Sequence, residues 1–85
     1  MTEVLAVFRS RAQAIDCNSR LRTFGVPSGI INTPKEANVG CGLSVKIPQN
    51  FLPRAKNIIA NANYSAFYGF LTMNTQYGRT YFNGN

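Results

Sequence analysis

The sequence predicts a two-layer α+β domain of element order βαββαβ, and three observations carry that reading. A continuous apolar run opens the chain, Val4-Leu5-Ala6-Val7-Phe8, as a strand buried on both faces would. Two segments repeat apolar residues at helical spacing, one through Ala14, Cys17, Leu21 and Phe24, the other through Ala55, Ile58, Ile59 and Ala62. Between and after them lie short β-rich stretches separated by proline and glycine.

Taken in order, residues 4–8 form the first strand and Ser10 caps a helix. Gln13, three residues later, completes a capping-box pattern. Arg11, Gln13, Asp16, Arg20 and Arg22 fall mostly off the apolar stripe, and Gly25 suits the left-handed position that ends a helix. Residues 28–33, with Ile30 and Ile31, read as a second strand stopped by Pro34. Leu43, Val45 and Ile47 alternate with Ser44 and Lys46, which predicts a third strand with one open face. Asn50 is placed to cap the second helix, with Pro53 tolerated in its first turn. Residues 67–73, FYGFLTM, make a fourth strand. The order corresponds to a ferredoxin-like sandwich, two helices on one face of a four-stranded antiparallel sheet. Residues 3–73 complete that domain, and 74–85, NTQYGRTYFNGN, follow as an aromatic and polar tail or an added edge strand.

Composition narrows the chemistry. The 85 residues include no histidine, which excludes Ser-His-Asp and Cys-His sites and His-ligated metals. Glu3, Asp16 and Glu36 are the only acids, too scattered for a carboxylate pair or a hard-cation site. Two cysteines, Cys17 and Cys41, are too far apart for a CxxC pair and too few for a zinc knuckle. The expectation is a protein without cofactor or metal that is no enzyme on its own. MTEVLAVF has no basic n-region and no stretch reaches the ~20 apolar residues of a membrane helix, so the chain is expected to be cytoplasmic, with reduced thiols and no membrane partner.

The segment 32–42, NTPKEANVGCG, carries the most chemistry. Gly40 and Gly42 leave the Cys41 sulfur unshielded and let backbone N–H groups turn towards it, which suits a thiolate or persulfide anion. Lys35 is the nearest cation in sequence. The alternative is a small buried thiol at a tight turn. In this order of elements the third strand is expected to begin at the sheet end opposite both helix N-termini, so that helix dipoles leave Cys41 alone. Cys17 sits on the apolar stripe and reads as packing.

A net charge of +6, with Arg9, Arg11, Arg20 and Arg22 around the first helix and Phe67, Tyr68 and Phe70 in the last strand, invites a nucleic-acid reading. No RNP1-like segment supports it, and only weak, nonspecific polyanion binding is expected.

Together, VLAVFRSR at 4–11, NTPKEA at 32–37, GCGLSVK at 40–46 and Gly69-Phe70 resemble a family of small bacterial domains, the putative selenium/sulfur carrier protein-like family. The resemblance covers roughly residues 3–73. It implies sulfur or selenium held on a cysteine, with Cys41 at the motif position, and a donor such as a cysteine desulfurase or a selenium-metabolism protein. The alternative function is a structural, self-assembling module. Tyr77, Tyr81 and Phe82 in the tail, together with open sheet edges, suggest a homo-oligomer with those rings at its interface.

Overall fold

The structure is a computed structural model that describes residues 2–34, 42–76 and 79–84, with side chains for 3–34 and 42–73. Strand β1 (Thr2–Phe8) leads into helix α1 (Arg11–Thr23), then β2 (Gly29–Asn32) and β3 (Leu43–Pro48). One 3₁₀ turn (Gln49–Phe51) precedes α2 (Leu52–Ala62), which is followed by β4 (Phe67–Gln76) and β5 (Arg79–Gly84). The sheet order is β2-β3-β1-β4-β5, antiparallel throughout. The first four strands, in order 2-3-1-4 with both helices packed on one face, are the expected ferredoxin-like sandwich. Beyond them β4 runs three residues past Met73 and β5 adds a fifth strand at its outer edge.

The apolar opening run is central because β1 pairs with β3 on one side and β4 on the other. Ala6 and Phe8 face the helices and join a core with Ala14, Cys17 and Leu21 of α1, Leu43, Val45 and Ile47 of β3, and Ala55 and Ile59 of α2. Each large side chain there contributes ~1.5–3 kcal/mol on burial. Leu5 and Val7 point to the other face and are also buried. Ser44 shares that face and is fully buried, contrary to an open face for β3. Its hydroxyl lies 2.9 Å from Thr33 Oγ1, so burial leaves no unpaired polar group there. Lys46, on the same face, is half-buried and reaches Glu3 at 3.8 Å.

Helix α1 begins and ends as its sequence asks, with two departures. Ser10 Oγ accepts the Gln13 N–H at 3.2 Å, but Gln13 does not return the bond. Its carboxamide instead accepts from Ala66 N at 2.8 Å and donates to Ser65 Oγ at 2.9 Å, docking the α2–β4 turn onto α1. At the other end Gly25 takes φ +85°, its N–H bonding Arg22 C=O while Val26 N–H bonds Leu21 C=O, a full Schellman closure. Phe24, expected in the apolar stripe, is the C-cap and has left the helical direction, so it is 56% exposed.

Asn50 does not cap α2. The chain leaves β3 through the 3₁₀ turn, which holds Asn50, and the cap position falls on Phe51 without a side-chain bond. Pro53 does sit in the first turn, and Asn63 ends the helix in the left-handed region at φ 57°.

Strand β4 carries a bulge against β1. Phe8 pairs with Phe67 but Val7 pairs with Gly69, so Tyr68 has no partner on β1 and Gly69 adopts φ +150°. Phe67 and Phe70 both pack against the helix-side core, 5.1 Å apart, with Phe8 5.3 Å from Phe67.

Candidate functional site

Of the segment that joins β2 to β3, the structure describes Thr33, Pro34 and Gly42. Its base is built by local pairing: Asn32 stands opposite Leu43, and Thr33 N–H donates to Gly42 C=O at 3.3 Å. The Thr33–Ser44 hydroxyl contact closes the same base from the side. Gly42 lies against the last residue of β1. A Cβ built on it would stand 2.5 Å from the Phe8 carbonyl oxygen, closer than any real Cβ contact, so only glycine fits.

This contact corrects the expected placement. Strands β1 and β2 both run antiparallel to β3 and therefore parallel to each other, so β2 finishes and β3 begins at the end where β1 finishes. There α1 begins, three residues after Phe8. Only α2, entered from the far end of β3, starts at the opposite end. Thr33 and Gly42 thus share their end of the sheet with the positive pole of α1, whose first turn holds no acidic residue.

Cations join it there. Arg11 is exposed in that first turn, and the Arg9 guanidinium lies 4.9 Å from the Tyr68 ring centroid, a cation–π contact between two exposed groups. Tyr68 is the bulge residue, without a partner on β1, and its side chain is exposed. The sequence holds both residues but nothing local predicts their pairing, because β1 and β4 meet only across the sheet.

Of the residues singled out from the sequence, Gly42 is at this base; Lys35, Gly40 and Cys41 lie outside the described residues. Tyr77 does too, while Tyr81 and Phe82 belong to β5, opposite Asn74 and Met73. Cys17 behaves as packing: it is 1% exposed, and burial above all, with Asp16 adding and Arg20 opposing, pushes its thiol up to about 12. The nucleic-acid platform does not form as imagined, since Phe67 and Phe70 pack under the helices and Tyr68 alone is exposed. Among the described residues no cluster of three or more His, Cys, Asp or Glu could hold a metal, and no helix is long and apolar enough to cross a membrane.

Fold and site together define a small ferredoxin-like domain with a glycine-flanked cysteine segment between its second and third strands. The chain belongs to the family described as "Putative Se/S carrier protein-like", whose model matches residues 3–68, more than three quarters of its length. The match ends at Tyr68, so Gly69, Phe70 and everything beyond them fall outside it. No curated protein and no solved structure matches the chain.

Proposed function

We propose that the protein is a thiol-based carrier of sulfur or selenium, with Cys41 as the acceptor, Gly40 and Gly42 as its backbone cradle and Lys35 as an anion partner. The observation that carries this reading is the seat of Gly42 against Phe8, at the same end of the sheet as the N-terminus of α1. That end combines a helix pole, two arginines and no first-turn acid, a setting that favours a sulfur anion over a neutral thiol. Family membership supports the same chemistry.

Loading from a cysteine desulfurase is an exchange. The Cys41 thiolate attacks the terminal sulfur of the donor's persulfide; a new S–S bond forms to Cys41, the donor's S–S bond breaks, and the donor leaves as a thiolate. The transferred sulfur keeps its proton and no outside oxidant is needed. Incubation with a desulfurase and cysteine should add the mass of one sulfur to the wild type and nothing to Cys41→Ser. A wild type left unmodified while a known carrier loads in parallel rules the reading out.

A second reading rests on β5. Among the described residues this strand pairs with β4 alone, which leaves its outer edge open to a second copy of the chain. Self-assembly through that edge, with Tyr77, Tyr81 and Phe82 at the contact, is compatible with carriage and independent of it.

A further inference from the structure

The C-terminal half of α1 and α2 form a groove of about 450 Å³ lined by Arg20, Phe24, Arg54, Asn57, Ile58 and Asn61. We infer that this groove binds a phosphate monoester carried on a planar ring, an organic anion of nucleotide size.

The lining argues for each half of that ligand. Arg20 and Arg54 supply two guanidinium groups, which match the two charges of a phosphate monoester; a carboxylate needs only one. Arg54 is held in place by its bond to the Phe24 carbonyl at 3.4 Å, and its Nη1 stands where a Cβ on Gly25 would be 3.8 Å away. That bond uses one of the five N–H donors of a guanidinium that lines the groove. Arg20 is held at 3.8 Å by Asp16, whose carboxylate already accepts the Tyr64 hydroxyl at 2.6 Å. Asn57 and Asn61 add neutral carboxamides one helical turn apart, with no acid in the lining.

The apolar half is Phe24 and Ile58. Phe24 is the most exposed large apolar side chain of the described residues, and a ring stacked on it would remove that surface from water. The volume falls in the ~300–1,000 Å³ range of small-molecule sites. The groove lies at the C-terminal end of α1 and Gly42 at the end where α1 begins, and occupancy of the groove does not depend on the carrier reading.

The test is an amide chemical-shift titration of the full chain at about physiological ionic strength, where loose surface attraction is screened. The probes are adenosine 5′-monophosphate, adenosine, inorganic phosphate and benzoate. The nucleotide should shift amides around Phe24 and along 54–61 and should bind ~10-fold or more tightly than each of the others, about 1.4 kcal/mol. Arg54→Gln should weaken it ~10-fold and Phe24→Ala severalfold. Both residues are exposed, and an unchanged spectrum elsewhere verifies the fold of each variant. Nucleotide binding no tighter than phosphate or benzoate, insensitivity to both substitutions, or shifts confined to another surface each overturn the proposal.

Discussion

Gly42 and the Phe8 carbonyl oxygen meet so closely that a side chain at 42 would stand 2.5 Å from that oxygen. The oxygen belongs to the backbone of a strand paired on both sides, so it cannot yield as a flexible side chain would. Gly42→Ala should therefore destabilise the fold by ~1–3 kcal/mol, the usual cost of forced overpacking. Gly29→Ala serves as the control, because nothing lies within 4 Å of a Cβ there. Urea midpoints of the two variants measure the difference; equal midpoints would contradict the close approach.

Cys17 should remain unlabelled by iodoacetamide in the native protein and react fully once unfolded, because its sulfur is buried and its thiol is raised to about 12 from 9.0. Mass spectrometry after brief alkylation reads this directly. If Cys41 is the acceptor thiol, the native protein should take up one label, on Cys41.

The same thiol predicts a pH dependence. Burial favours the protonated form, so above pH 9 the unfolded chain loses a proton that the folded chain retains. Stability should fall as pH rises from 9 towards 12, by about 1.4 kcal/mol per unit at most from this group. Tyr64, also raised to about 12 by desolvation and by its bond to Asp16, acts in the same direction from about pH 10. Cys17→Ala should flatten the slope between pH 9 and 10 while lowering stability at neutral pH. A slope unchanged in that variant would mean that the thiol is not its source.

Gln13→Ala should cost more than an ordinary exposed substitution, ~1–2 kcal/mol, because it leaves Ala66 N–H without its acceptor and frees the turn at Ser65. Ser10→Ala should cost ~1 kcal/mol as a lost cap. Hydrogen exchange separates the two: the first variant should speed exchange at Ala66, the second at Gln13.

Self-association is tested by removing β5. A cut after Met73 would also shorten β4, so the informative truncation ends at Gln76. Light scattering should report a dimer or larger for the full chain at tens of micromolar and a smaller species for the truncation. A monomeric full chain, or an oligomer that survives the cut, removes the assembly reading.

What the sequence disclosed was local, and what it withheld needed partners. The Val4–Phe8 run, the stripe through Ala14, Cys17 and Leu21 and the turn at Gly25 are each dictated within a few residues and stand as read, whereas Phe24, read as the last member of that stripe, is the exposed C-cap. Strand β5 was legible only as one of two choices for the tail, because RTYFNG has little apolar alternation and owes its form to pairing with β4. Asn50 misled because a cap pattern does not reveal that a 3₁₀ turn will intervene. The burial of Ser44 depends on packing of the far face, which one strand's alternation cannot report. For the site, glycines 40 and 42 flagged the right segment, but which end of the sheet received it required following strand directions through three elements. The Arg9–Tyr68 contact and the arginine groove join residues some 60 and 34 positions apart, beyond any local pattern.

The unpaired Tyr68 has one more effect, on parity. Phe67 and Phe70 are an odd number of residues apart, and in a regular strand they would project from opposite faces. The single extra residue restores even spacing, so both rings enter the helix layer while Gly69, Leu71 and Met73 stand in register with the far-face positions Val7, Leu5 and Glu3 of β1. The length of this short stretch therefore matters more than its chemistry. Replacing Tyr68 by another side chain should leave the layering intact, whereas deleting it would turn one phenylalanine out of the core.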